Sequence, residues 1–344
     1  MTSRELIKRI INHDAPQRIG HEFSQKSNDI AWVAGVRFQS DARRAELRQW
    51  GRHEALLREV PGFGGEVRED EFGNIHGRLD GKTKGECVKG FLQDGWEREY
   101  HLPEPDFAYY DELLAHDLRA SEKFVVSYLP FSVFSTLRDM RHMPNALMDV
   151  LLEPDNVRAF LEKITEAAEK VIPRLARVGV DTVIIADDWG VQDRTFIGRA
   201  PFCELFVPAY RKIADALHEN RMHFMLHSCG KILDFIRPLI EAGVDVFQFD
   251  QPEVYGTRFL AEEFGGEVTF YSPVDVQKVL PTGDRTFIEA KAFEMVENFK
   301  TLCGGALIVK DYPSYADIGV SEEWAGWARD MVIANSGIFS SDSN

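Results

Sequence analysis

From residue 124 onward, two spacings of apolar positions alternate along the chain. FVVSYL (124–129), DTVIIA (181–186), MHFMLH (222–227), VDVFQFD (244–250), VTFYS (268–272) and ALIVKD (306–311) are short runs rich in β-branched and aromatic residues, which predicts buried strands. The stretches between them carry a helical period. The longest, NVRAFLEKITEAAEKVIPRLARVG, sets Val157, Phe160, Leu161, Ile164, Ala168, Val171 and Leu175 on one face, with Pro154-Asp155 at its start and Gly179 just past its end. Further helices are predicted around 202–219, over KILDFIRPLIEAG, near 257–264 and over 285–301. Strands and helices joined by short links imply parallel strands with right-handed crossovers.

The first third reads differently. Residues 2–13 predict a helix capped by Thr2 or Ser3, with Glu5 at capping-box distance from Thr2, an apolar stripe of Leu6, Ile10 and Ile11, and a stop at Pro16. IGHEF (19–23) predicts a strand. Residues 26–123 are charged and glycine-rich and read as an irregular insertion or cap. Within it EVREDEFGNIHGRLDGKTKGECVKGFL suggests strand–turn–strand, with Asp80-Gly81 as a hairpin signal and a strand near 87–92. Counting 19–23, that strand and the six above gives eight. The expected fold is α/β, a (β/α)8 TIM barrel forming one domain over 1–337, with a disordered tail at 338–344. The chain has no GxGxxG following a strand, no GxxxxGK[ST] and no solenoid period, so nothing supports a nucleotide-binding sheet.

Composition narrows the functional classes. The chain has 344 residues, 44% of them hydrophobic and 28% charged, as expected of a globular protein with a sizeable core. A net charge of −16 argues against a nucleic-acid-binding role. The 4 cysteines (87, 203, 229 and 303) form no CxxC pair, which excludes a disulfide framework and fits a cytoplasmic protein. The N-terminus lacks the uninterrupted apolar stretch of a signal peptide, and no window is long and apolar enough to predict a membrane span.

In a barrel of this kind, chemistry gathers at the C-terminal ends of the strands. The predicted strand ends carry His21 and Glu22; Asp187, Asp188 and Trp189; His227 and Cys229; Gln248 and Asp250; and Asp311 and Tyr312, with Asp275 just after the seventh strand. His227 and Cys229 are two apart and would share a face if their strand continued that far. Imidazole with thiolate suits Zn²⁺. For a third ligand, Asp311 ends the last strand at the correct face, whereas Cys303 precedes that strand and belongs at the opposite end; Glu22, Asp188 and Asp250 are further carboxylate donors. Asp187 and Asp188 form a candidate acid–base pair whose pKa values a partly buried mouth would split. His21, Glu22, Trp189, Gln248, Asp250, Asp275 and Tyr312 are the candidate substrate-binding residues.

With these residues in view, the chain resembles the uroporphyrinogen decarboxylase superfamily, and within it the corrinoid-dependent methyltransferase branch. The resemblance spans nearly the whole chain: the MTSRELIKRIINHDAPQRI opening, the DEFGNIHGRL hairpin, the segment LHSCGKILDFIRPLIEAGVDVFQFD and the stretch SPVDVQKVLPTGD. His227-Ser228-Cys229-Gly230 matches the zinc-binding half of the branch. Two departures matter. Where the branch completes its zinc site with a cysteine after the eighth strand, this chain reads Lys310-Asp311-Tyr312-Pro313. Where the decarboxylase proper has an arginine-rich segment after its first strand, this chain reads HEFSQKSNDIAW, without the countercharges that a porphyrinogen's carboxylates need.

The resemblance implies a zinc-dependent methyltransferase. It would move a methyl group between a small molecule of methoxy, methylamine or thiol type and the corrinoid (methylcobalamin) carried by a partner protein. The replacement by Asp311 tilts the expectation toward demethylation of a methoxylated compound. Such barrels often pair, so a homodimer is among the expected assemblies. The competing readings are a metal-free decarboxylase of a small carboxylate, a metal-dependent hydrolase or lyase, and a non-catalytic barrel that binds tetrapyrroles or corrinoid proteins.

Overall fold

A computed structural model describes residues 1–24, 26–33, 49–79, 85–108 and 118–338. Asp80-Gly81 and the tail from 339 onward lie outside these residues. The chain opens with the expected helix, Ser3–Ile11, closed by a capping box: the Thr2 hydroxyl accepts from the Glu5 N–H, and the Glu5 carboxylate accepts from the Thr2 N–H. Its stripe of Leu6, Ile7, Ile10 and Ile11 is buried.

The strands that follow are β1 (Gly20–Phe23), β2 (Ser27–Asn28), β3 (Ile30–Trp32), β4 (Glu66–Glu69), β5 (Ile75–Arg78), β6 (Glu86–Lys89), β7 (Phe124–Tyr128), β8 (Thr182–Ala186), β9 (His223–His227), β10 (Val246–Gln248), β11 (Thr269–Ser272) and β12 (Leu307–Lys310). Nine of them form one sheet in the order β2-β1-β12-β11-β10-β9-β8-β7-β3. Within it β1, β3 and β7–β12 pair in parallel, and only β2 runs antiparallel, against β1. After β1 the chain reverses into the edge strand β2 and then enters the other edge strand, β3. This is the eight-stranded parallel architecture expected, curled into a nearly closed barrel.

One strand assignment is corrected. Glu86–Lys89 is not a barrel strand; it lies in a separate antiparallel sheet, β4-β5-β6, with Val60, Val67 and Ile75 as its small core. The eighth barrel strand is Ile30–Trp32, only three residues long and so too short for a period of two to be visible. The helix Val133–Arg141, also unread from sequence, carries the small sheet: the Cys87 thiol donates to the Asp139 carbonyl at 3.2 Å, and the Leu92 N–H donates to the Met140 carbonyl at 2.7 Å.

Alternation along the strands sorts side chains into two populations. Ile30, Phe124, Val126, Ile184, Met225, Val246, Tyr271 and Ile308 face inward and form one buried cluster with Leu6, Ile7, Ile10 and Ile11 of the first helix. That helix therefore closes the N-terminal end of the barrel. The contact is tight: a methyl group on Gly20 would meet Ile7 Cδ1 at 2.6 Å. Outward-facing residues pack beneath the surrounding helices in the larger core. The helix Pro154–Val178 contributes its whole predicted stripe and ends at Gly179 with φ of 100°. Among the described residues no helix is long and apolar enough to cross a membrane.

Candidate active site

Two residues beyond six of these inward core positions, the strands deliver Trp32, Tyr128, Ala186, His227, Gln248 and Lys310 at their C-terminal ends, and Glu22 and Tyr271 complete the ring from β1 and β11. They form the mouth of the barrel.

His227 ends β9, and Cys229 lies two residues on, in the loop rather than the strand. The thiol still approaches the imidazole, with Sγ 3.4 Å from Nε2. Asp188, two residues beyond inward-facing Ala186, brings Oδ1 to 3.4 Å from the same Nε2, and accepts the Cys229 N–H at 2.8 Å. One ligand atom from each of Asp188, His227 and Cys229 lies within 4.8 Å of the others. The two loops can meet because their crossing point is glycine on both sides. Gly230 has φ of +74°, and a Cβ there would lie 2.3 Å from the Gly190 carbonyl oxygen; one on Gly190 would lie 2.8 Å from Lys231 N. The Lys231 N–H donates to the Val191 carbonyl at 2.7 Å, and the Tyr255 hydroxyl donates to the Gly230 carbonyl at 2.8 Å.

The other imidazole nitrogen is also assigned. His227 Nδ1 meets Gln248 Oε1, an acceptor, so Nδ1 carries the proton and Nε2 is directed at Asp188 and Cys229. Gln248 Nε2 donates to Asp250 Oδ1 at 2.7 Å, which also receives Lys310 Nζ at 3.2 Å. Burial pushes the His227 pKa down, but hydrogen bonds to Asp188 and Cys229 override it and raise the group to about 10. Burial pushes Asp188 up, yet its bonds to His227 and Cys229 hold it at about 2. Asp188 is thus an anion across the physiological range. Across the mouth, burial raises Glu22 against the pull of the Trp32 hydrogen bond and the Lys310 charge. Its carboxylate accepts from Trp32 Nε1 at 2.6 Å and from the Tyr271 hydroxyl.

Several expected site residues lie elsewhere. Asp187 is fully buried behind the strands, where it accepts the N–H groups of Val133, Phe134 and Ser135 and the Tyr210 hydroxyl. It caps the helix Val133–Arg141 and has no exposed oxygen for acid–base work. The two acids shift in opposite directions for separate reasons and not as a pair: burial raises Asp187, while bonds to His227 and Cys229 lower Asp188. Trp189 is a core residue, stacked on Phe134 with ring centres 3.9 Å apart. Asp275 is buried and ties its own loop through the N–H groups of Glu253, Gln277 and Lys278. Asp311 points away from the mouth, into a buried pair with Arg329 at 2.9 Å, and is not a member of the cluster. Cys303 sits in the last turn of the helix Arg285–Cys303, donating to the Phe299 carbonyl, before β12 and so at the barrel's other end. Tyr312 is half-buried at the mouth, where burial and the nearby Asp250 and Cys229 raise its pKa. Sequence reasoning missed Trp32 and Tyr128 and placed Lys310 at a strand end without a role; continuing the period of two to each strand end would have found Tyr128 and turned Lys310 inward.

His21 also faces outward. It is buried, stacks on Phe23, and bonds Ser27 Oγ through Nδ1 at 3.0 Å. Burial and then the Arg18 charge lower its pKa to about 4. The folded state therefore keeps His21 neutral while the unfolded chain takes up a proton near pH 6.5. Stability from this group is full above pH 6.5 and is lost as pH falls toward 4, by about 3 kcal/mol in all. Urea titrations of wild type and His21→Gln should differ in their pH slope within this window, with the variant flatter.

Residues 124–304, more than half of the chain, match the family model described as uroporphyrinogen decarboxylase (URO-D). Over 134 residues the chain is 25% identical to a methylated-thiol–coenzyme M methyltransferase of Methanosarcina mazei; the match covers 38% of this chain and 34% of that curated relative. The solved structure of a methyltransferase from Methanosarcina mazei superposes with a TM-score of 0.61 at 12% identity, covering 97% of this chain and 99% of that one, a likeness of fold.

Proposed function

The chain belongs to the uroporphyrinogen decarboxylase (URO-D) family, and from that premise we propose that it is a zinc-dependent methyltransferase. It moves a methyl group between a small molecule of methoxy, methylamine or thiol type and the corrinoid of a partner protein. The observation that carries this reading is the Asp188–His227–Cys229 cluster at the barrel mouth. Its donor set of carboxylate, imidazole and thiol fits Zn²⁺, and three protein ligands leave a fourth position for substrate. Zinc bound there supplies Lewis acidity, which lowers the pKa of a thiol or polarises a heteroatom that bears a methyl group.

The chain's own residues do the rest. Gln248 fixes the imidazole tautomer, and Asp250 with Lys310 fixes Gln248. Asp188 stays anionic and serves as a ligand. Glu22 lines the same mouth, where burial raises its carboxyl against the Trp32 hydrogen bond and the Lys310 charge. The first helix seals the far end, which keeps bulk water to one side of the site.

The test is metal analysis paired with turnover. Protein purified under reducing conditions should hold about one zinc per chain. With a methyl donor and reduced free cobalamin it should form methylcobalamin, followed by its absorption spectrum, and chelation should abolish this. Metal-free protein that instead decarboxylates a small carboxylate at full rate favours the decarboxylase reading.

A further inference from the structure

Where the small antiparallel sheet meets the helix Val133–Arg141, the two enclose a second cavity of about 370 Å³. None of its lining residues belongs to the barrel mouth. Its volume falls in the range of small-molecule pockets. His76 on β5 and Cys87 on β6 stand directly opposite each other on the sheet side. Glu86 lies beside Cys87, and Arg138, Asp139 and His142 line the cavity from the helix and the joint that follows it.

Two features of this cavity point to a ligand. The first is in the backbone. His142 has φ of 63° and ψ of 140°, at the joint between the helices Val133–Arg141 and Met143–Leu152. That region is essentially reserved for glycine, and a side chain there costs roughly 1–3 kcal/mol. Strain of this kind gathers at ligand clamps, where the side chain is needed. The His142 imidazole lines the cavity and has no hydrogen-bond partner among the described residues. The second feature is the fixed His76. Asp70 accepts the N–H groups of Phe72 and Asn74, both at 2.9 Å, and His76 Nε2 at 2.8 Å. A neutral imidazole that donates from Nε2 keeps Nδ1 as an acceptor, and Nδ1 has no partner among the described residues.

The donors and acceptors left over define the ligand. Arg138 binds Asp139 Oδ1 through Nε at 2.9 Å, and its Nη1 and Nη2 are unpartnered among the described residues. These nitrogens can only donate. His76 Nδ1, the second Asp139 oxygen and the Glu86 carboxylate can only accept. A phosphate would satisfy the guanidinium but meet two carboxylates. A simple amine would satisfy the carboxylates and leave Arg138 bare. A metal ion fits no better: among the described residues, the donors close enough to share one are Asp188, His227 and Cys229 at the mouth. Burial, with Asp139 and Asp70 nearby, raises Cys87 to about 12, so its thiol is a neutral wall and not a nucleophile. We propose that this cavity binds a free amino acid, its α-carboxylate on Arg138 and His142 and its ammonium on His76, Asp139 and Glu86. The site stands apart from the mouth, and the proposal holds whether or not the protein transfers methyl groups.

Thermal unfolding of the full chain with each of the twenty common amino acids, at about 10 mM, identifies the side chain accepted; at least one should raise Tm by about 2 °C or more. The amine and the carboxylic acid derived from that amino acid each lack one charged group, and in calorimetry each should bind about tenfold more weakly or worse. Arg138→Gln should weaken the amino acid by about the same factor. His142→Gly separates a binding role from a structural one. Freed of its strain, this variant should melt at or above the wild-type temperature, yet bind about tenfold more weakly. Chelation of metal should leave binding unchanged. The proposal is overturned if no amino acid shifts the melting temperature, if the amine or the acid alone binds as tightly, or if His142→Gly binds like wild type.

Discussion

Replacing Asp188 by alanine is expected to lower the zinc affinity of the purified chain by a hundredfold or more, since losing a ligand should exceed the roughly 10–100-fold effect of losing an outer-shell partner. Three features favour Asp188 as third ligand of the proposed zinc site. Its Oδ1 is 3.4 Å from His227 Nε2, it is tied to the Cys229 backbone at 2.8 Å, and its bonds to His227 and Cys229 lower its pKa to about 2. Asp311→Asn is the informative contrast. It removes the nearer carboxylate of the buried Arg329 guanidinium, which keeps Glu322 at 3.7 Å, and so should cost about 2 kcal/mol of stability, while zinc affinity stays at the wild-type value. Competition against a chromophoric chelator reads the affinity, and urea titration reads the stability. Zinc lost from Asp311→Asn and kept by Asp188→Ala would falsify the assignment and return the ligand to the last strand.

The second large effect involves no ligand at all. Gly230→Ala should unseat the cluster, because the loop carrying Cys229 and the loop carrying Asp188 touch through bare backbone. The substitution sets a side chain at φ of +74° and drives its Cβ to 2.3 Å from the Gly190 carbonyl. The left-handed backbone alone costs roughly 1–2 kcal/mol. Relieving the clash means separating the loops, so the expected total is about 3 kcal/mol with zinc affinity down at least tenfold. Gly266→Ala serves as the control: nothing lies within 4 Å of the added methyl group, and φ there is not positive. It should leave both stability and zinc unchanged.

The barrel was legible in the sequence because buried parallel strands and amphipathic helices carry strong periods, and the strands from β7 to β12 fall where those periods put them. Strand β3 was not, since three residues are too few to display an alternation. The site was legible by position and less so by direction. Knowing that a strand ends at the correct face does not say which side chain turns inward. The parity of the strand does: with Lys310 inward, Asp311 must face out, and with Ala186 inward, Asp187 faces out and Asp188 in. Applied to His227, the same count returns Cys229. The close approach of the thiol to the imidazole needed something more, the glycine crossing at 190 and 230, which only contacts between distant segments reveal.

The first helix has a consequence for the order of events. By filling the lower end of the barrel with Leu6, Ile7, Ile10 and Ile11 it leaves the mouth as the way in among the described residues. On the proposed function, the small molecule and the partner's corrinoid must use that doorway in turn. The small molecule has to be seated before the partner docks, and its demethylated remainder can leave only after the partner has gone. A partner in large excess should therefore slow turnover by standing in the entrance, a queue imposed by nine residues at the opposite pole of the protein.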